Sequence, residues 1–187
     1  MKIAQLVSNY HKVAEASNQA IYNHVAWLTN GLSDRGNNLT LFASGDSKTR
    51  GQLNSVLEKP TAELQISEDL RKHYLSLLIS QCYRQASSFD IIHSHFNLLS
   101  SFFSVISGTP TVQSLHSPIN PETKPLIQYF KGNYYISFSL AQRKQLPELN
   151  WVANIYHGVD TQQFSFNPIP KDYFLYLGRI TEEKGVH

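Results

Sequence analysis

The chain has 187 residues, with 16 Lys and Arg against 14 Asp and Glu and a formal net charge of +2. That length holds one well-packed domain and a little extra chain, not two such domains, and the near-balance of charge gives no electrostatic footprint for nucleic acid or an anionic membrane. The single cysteine, Cys82, excludes an internal disulfide framework and, in its helical context, reads as a buried thiol in a reducing compartment, so the chain is expected to be cytosolic. The start "MKIAQLVS" turns polar too soon for a secretory signal, and no apolar run approaches the roughly 18 to 20 residues of a membrane span.

Lys2 to Ser8 form an apolar run that reads as a first strand, followed by the polar stretch "NYHKVAEASN". A helix is then predicted with Ile21, Val25, Leu28 and Leu32 on one face, ending near Gly36, a natural left-handed C-terminal residue. Leu39 to Ser44 make a second strand, and the β-α-β order predicts a parallel, right-handed crossover. No periodicity is clear from Gly45 to Ser67, a length usually reserved for functional or mobile loops. The next helix, about Glu68 to Ala86, places Leu70, Tyr74, Leu77, Leu78 and Cys82 on its inner stripe.

"DIIHSH" is a short buried strand, and "NLLSSFFSVISG" is apolar on most sides and reads as a deeply packed helix. A turn and a strand ending at His116 come next, then "NYYISFS", the helical "LAQRKQ", "WVANIYHG" and a last strand in "YFLYLGR". Strands recurring between helices and long loops predict an α/β fold, Rossmann-like and doubly wound, with a mainly parallel sheet and helices on both faces. Residues 1–165 form the main domain in this reading, 166–172 a proline-spaced linker ("FNPIPKD"), and 173–187 the start of something further.

In an open parallel sheet, ligands bind beyond the carboxyl ends of the strands, and there the sequence puts His93 and His95, His116 and His157. His93 and His95 are two apart and face the same way on an extended strand. Three readings compete: a zinc site built on the H-x-H pair, core histidines bonded to backbone, and a polar ligand cleft. No carboxylate or cysteine stands at a familiar metal spacing, whereas neutral imidazole both donates and accepts, and Ser94, Asn97, Ser117 and Asn120 add the same capacity for a hydroxyl-rich ligand. Cofactor chemistry is disfavoured: neither G-x-G-x-x-G nor a P-loop follows the first strand, Asp46 in "SGDS" reads as a turn residue, and no G-x-S-x-G elbow occurs.

Taken in order, "LTLFASGDS", "DIIHSH", "TPTVQSLHSP", "ISFSLAQRKQLP", "YHGVDTQQFSFNP" and "YFLYLGRITEEKG" resemble the motifs along the first half of the family 4 (group 1) retaining glycosyltransferases of GT-B fold. The resemblance implies transfer of a sugar from a nucleotide-diphosphate-sugar to an acceptor held mainly by the N-terminal domain, with no separate cofactor and no metal. It implies His116 facing the donor sugar, and Arg179 and Lys184 binding the leaving diphosphate, these three being the implied catalytic residues. "HGVD" matches the stretch leading toward the second domain, with Gly158 at a tight backbone and His157 and Asp160 beside it; Ser139 and Ser117 join His93 and His95 as substrate contacts.

The sequence departs from the family where a glycine pair usually follows the first strand. Gln19 and Ala20 stand there, and the side-chain amides of Asn18 and Gln19 are the proposed substitutes. The family's E-x7-E motif belongs to a second domain, so the chain reads as an acceptor-side half with only the opening of the donor side, inactive alone. Its expected partners are the nucleotide-sugar, an acceptor of unread identity that the family also finds at membrane surfaces, the missing domain, and a second copy of itself through the uncovered face. The residues alone keep two rivals: a stand-alone Rossmann-like module binding a polar ligand or partner chain, and a metal-dependent hydrolase using the histidines. The final residues are expected to dock as an extra strand or to lack regular structure.

Overall fold

The computed structural model describes residues 1–95, 98–178 and 180–186. Its first unit, Met1–His157, holds a seven-stranded, wholly parallel sheet: β1 (Lys2–Leu6), β2 (Asn38–Phe42), β3 (Gln52–Asn54), β4 (Ile91–Ser94), β5 (Thr111–Ser114), β6 (Tyr134–Ser137) and β7 (Trp151–Asn154). The spatial order is β3-β2-β1-β4-β5-β6-β7, the doubly wound Rossmann-like arrangement, with the winding reversing between β1 and β4. β1 lies at the centre, pairing Ile3 with Leu39 on one side and with Ile91 on the other.

Both faces of the sheet are covered. On one, Ala4, Leu6, Phe42 and Ile92 pack against Leu78, Ile79 and Cys82 of α2 (Glu68–Arg84). On the other, Val7, Leu41 and Ala43 pack against Tyr22, Val25 and Ala26 of α1 (Ala20–Asp34). β2 feeds Phe42 to one layer and Leu41 to the other, and β1 feeds Ala4 and Leu6 to the first, with Val7 just beyond its end reaching the second. A third cluster, Leu115, Ile119, Ile127, Tyr135, Leu146 and Leu149, closes the β5–β7 side.

The helices start and stop for local reasons. Ser67 caps α2, its Oγ accepting from Leu70 N–H at 3.2 Å, with Glu68 and Asp69 in the first turn and Arg84 in the last, as the helix dipole favours. α1 closes in a Schellman motif: Asn37 N–H donates to Leu32 C=O and Gly36 N–H to Ser33 C=O, with Gly36 at φ +81°.

Several expectations are corrected. The inner face of α1 is Tyr22, Val25, Ala26 and Thr29, with Ile21, Leu28 and Leu32 only partly buried. In α2 the stripe is rotated: Leu75, Leu78, Ile79 and Cys82 face the sheet, while Leu70 and Leu77 are exposed. The segment from Gly45 to Ser67 is built into the fold. It contains edge strand β3, reached where Gly51 passes so near Leu39 that a Cβ would strike its carbonyl, and Thr61 and Ala62 N–H groups bond Asn9 and Tyr10 carbonyls.

The expected deep apolar helix is α3 (Leu99–Ser104), and its buried face is polar: Ser100 and Ser101 hydroxyls reach Gln113 Oε1, and Ser94 Oγ donates to Ser100 Oγ at 2.7 Å. Phe102, Val105 and Ile106 face outward. Two short helices complete the unit, α4 (Lys124–Tyr129) inside the loop expected after His116, and α5 (Leu140–Arg143).

The second unit begins at Gly158 and contains two short 3₁₀ turns, Thr161–Gln163 and Glu182–Lys184. Tyr173 to Leu177 form no strand, contrary to expectation. A strand needs a neighbour to satisfy its N–H and C=O groups, and this segment joins no ladder; Phe174 and Leu177 are exposed.

The rotation of α2 is directly testable by substitution. Leu78→Ala should cost about 2–5 kcal/mol, and Leu77→Ala, on the outer face, within about 0.5 kcal/mol; urea unfolding of both variants measures the contrast.

Candidate active site

The register of the central strands builds the site. Gln5 of β1 lies beside His93 of β4, Leu6 beside Ser94, and His95 N–H then donates to Leu6 C=O at 2.8 Å, holding His95 at the carboxyl end of the β1–β4 junction. His116 follows β5, and the Gln142 side chain of α5 straddles it, donating to Leu115 C=O at 2.7 Å and to Ser117 C=O at 3.2 Å. His157 ends the chain segment beyond β7, and α1 supplies His24 from its second turn.

Five imidazoles and one phenyl ring meet there. Ring centroids of His93 and His95 are 4.3 Å apart, those of His95 and His116 5.2 Å, and those of His24 and His157 4.9 Å. Phe138 stacks on His157 at 3.9 Å and on His116 at 4.6 Å. His95 Nδ1 and His116 Nε2 share a hydrogen bond of 2.9 Å, His95 Nε2 donates to Gln5 Oε1 at 2.9 Å, and His93 Nε2 bonds Ser114 Oγ at 2.8 Å. Among the described residues, the buried His116 Nδ1 and Gln5 Nε2 have no hydrogen-bond partner.

Loss of hydration in this crowded site lowers every one of the five imidazole pKa values, and repulsion between them lowers four further. His24 falls from 6.5 to about 4, through burial first and His157 second, and His93 to about 4, through burial and then His24. His116 falls to about 3 through burial and then His24, His157 and His93. His95 lies well below its ordinary value, and exposed His157 is lowered by partial burial alone. The cluster is thus neutral at physiological pH, a set of paired donors and acceptors with no net charge. Among the described residues, no group of three or more His, Cys, Asp or Glu has the arrangement of a metal site.

The remaining residues singled out from sequence are placed differently. Asn18 and Gln19 are exposed at the start of α1, where Gln19 is the cap residue without a side-chain bond. Ser139 Oγ caps α5, accepting from Gln142 N–H at 3.1 Å, and Ser117 is exposed. In the second unit, Asp160 caps a 3₁₀ turn, its Oδ1 accepting from Gln162 N–H at 3.0 Å, and Lys184 is exposed. Gly158 has no positive φ, and an added Cβ would meet nothing within 4 Å, so the tight backbone expected there is absent. Arg179 and Asn97 lie outside the described residues.

Three members of the cluster escaped the sequence reading: His24, Phe138 and Gln5. Each carried a signal. His24 is one turn from the start of the helix after the first strand, Phe138 directly follows β6, and Gln5 is a lone amide in an otherwise apolar central strand.

The family model described as Glycosyltransferase Family 4 matches residues 22–163, about three quarters of the chain. The chain belongs to glycosyltransferase family 4. Twenty-two solved chains match its fold, among them a crystal structure of Anabaena Alr3699/HepE in complex with UDP and glucose, with a TM-score of 0.58 and 16% identity over 90% of this chain. This chain spans 47% of that protein, and at such identity the likeness speaks for the fold. No curated protein matches it. The family assignment covers α1 from Tyr22 onward and all the strands from β2 to β7, and so every histidine of the cluster.

The depressed imidazole pKa values fix the acid response of this family 4 domain. Unfolded histidines take up protons near pH 6.5, whereas the folded cluster resists until about pH 4 or below. Between these values unfolding consumes protons, so stability present above pH 6.5 is lost as pH falls. Urea unfolding at about pH 5.5 should take up about three to four protons per chain from His24, His93, His95 and His116, measurable as a buffer-independent proton uptake; uptake below one proton would contradict the cluster's neutrality.

Proposed function

We propose that the chain is the acceptor-side half of a retaining glycosyltransferase that moves a sugar from a nucleotide-diphosphate-sugar to an acceptor in the cytosol. The observation that carries this reading is the neutral imidazole cluster at the reversal point of the sheet, in a chain of glycosyltransferase family 4. A sugar presents several hydroxyls, each both donor and acceptor. Neutral imidazoles match that capacity without attracting ions, and Phe138, stacked on His116 and His157, gives a flat apolar wall of the kind pyranose C–H faces pack against. That Alr3699/HepE is described in complex with UDP and glucose is in keeping with such a donor.

In the proposed reaction the bond from the sugar's anomeric carbon to the diphosphate breaks while the acceptor oxygen joins that carbon on the same face. His116 shapes the sugar site. Lys184 and Arg179, carried over from the family, neutralise the charge that grows on the departing diphosphate, a task for fixed cations and a large share of the barrier. Donor, acceptor and diphosphate must be held together, and misplacing groups by about 1 Å costs on the order of a hundredfold. Residues 1–187 alone therefore bind part of this assembly and do not turn over.

Two measurements decide between this reading and a stand-alone binding module. The purified chain should form no product from any nucleotide sugar, and supplying the donor-side domain, fused or separate, should restore transfer with retained anomeric configuration. In that complete enzyme His116→Ala should lower kcat/KM about a hundredfold or more. Product from the chain alone would remove the half-enzyme reading, and an unimpaired His116→Ala enzyme would remove His116 from the sugar site.

A further inference from the structure

We propose that Gln5 and His95 are positioning residues which fix the tautomer of His116, so that His116 presents Nδ1 as a bare hydrogen-bond acceptor. Three side chains, from β1 and from the residues just beyond β4 and β5, form one unbranched chain. Gln5 Oε1 can only accept, so His95 must carry its proton on Nε2, 2.9 Å away. A neutral imidazole has one proton, so His95 Nδ1 is an acceptor, and the 2.9 Å contact to His116 Nε2 requires His116 to donate from that nitrogen. The remaining nitrogen, His116 Nδ1, then holds a lone pair, and it is the nitrogen without a partner among the described residues.

The geometry makes the choice cooperative. Gln5 and His95 are almost wholly buried, which withdraws the first link from solvent. His95 Nδ1 and His116 Nε2 cannot both carry protons at 2.9 Å, so the orientation of one amide two side chains away sets the polarity of the last nitrogen. Burial keeps both rings uncharged, which is what allows a single proton per ring to encode a direction. In the strand run "KIAQL" Gln5 is the one buried polar residue, and its amide is bonded to His95.

For the reaction this rests on the proposed sugar site: Nδ1 is closed to solvent in this structure, and a group that comes to pair with a bare Nδ1 has to be a donor such as a sugar hydroxyl, not an oxygen that only accepts. The tautomer itself is a property of this chain and needs no turnover to be read. Long-range ¹H–¹⁵N spectra of the histidine-labelled 187-residue chain at pH 7.5 should show a pyrrole-type Nε2 and a pyridine-type Nδ1 for both His95 and His116. His116 with its proton on Nδ1 would overturn the proposal.

Two substitutions test causation. Gln5→Met keeps length and removes the amide, and should shift the His116 nitrogens toward a mixture of tautomers; unchanged signals would overturn the role of Gln5. His95→Asn offers an amide oxygen near the position of Nδ1 and should preserve the His116 tautomer that His95→Leu loses. A purely structural role would leave the tautomer alike in both His95 variants, and that result would also count against the proposal. Failure of the transferase reading would show as absent transfer by the complete enzyme, with these spectra unaltered.

Discussion

The parallel pairing of β1 with β4 is the constraint from which the rest of the structure follows. Winding runs outward in opposite directions from this pair, so the helices leaving β1 and entering β4 lie on opposite faces and a crevice opens at the carboxyl ends. The register Gln5 to His93 and Leu6 to Ser94 then decides which side chains reach that crevice. A slip of one residue would exchange the two faces of β4 and send His93 and His95 where Ile92 and Ser94 now pack. Because Ala4, Leu6, Phe42 and Ile92 fill one layer and Val7, Leu41 and Ala43 the other, the apolar core enforces the register, and the polar site inherits its precision from hydrophobic burial.

Much of this was legible in the sequence, and what was missed was missed for physical reasons. The strands carrying His93, His95, His116 and His157 were visible because their apolar runs are bounded by turn chemistry, and a doubly wound order then collects their carboxyl ends on one edge. β3 was invisible: three residues at a sheet edge, "QLN", show no period, and its placement depends on Gly51 passing against Leu39, a tertiary fact. The stripe of α2 was misjudged because leucines occupy both sides of it, and periodicity fixes the width of an apolar face better than its centre. In α3 the reading failed because apolar residues are free to lie outside. Ser100 and Ser101 turn inward to satisfy buried Gln113, and Leu99 and Phe103 pack only part-buried against the core beside them. His24 and Gln5 were missed because a helix-borne histidine and a strand-borne glutamine each have a bland local reading that only the assembled cluster overturns.

The cluster sets a polar requirement against an electrostatic one. Crowding five imidazoles side by side, most of them withdrawn from water, would be costly if they were charged, since each positive ring would repel the others. As neutral rings they cost only the hydrogen bonds they lose to water, and several are returned: His95 is bonded at both nitrogens, His93 at Nε2 and His116 at Nε2. The groups left unpaired, His116 Nδ1 and Gln5 Nε2, are the residual cost, and buried polar atoms without partners are uncommon enough to mark a place where a ligand completes the set.

That neutrality also argues for a division of labour. Among the described residues, the charges that shift the imidazoles of the cluster are those of other imidazoles. Neutral rings offer donors and acceptors that suit hydroxyls, whereas the two or more negative charges of a diphosphate are poorly accommodated against neutral dipoles away from water. In the proposed reaction the sugar and the leaving group therefore make opposite demands. On that proposal the uncharged imidazoles answer the sugar, and the cations carried over for the leaving group, Arg179 and Lys184, belong to the residues after Gly158 and not to the imidazole cluster.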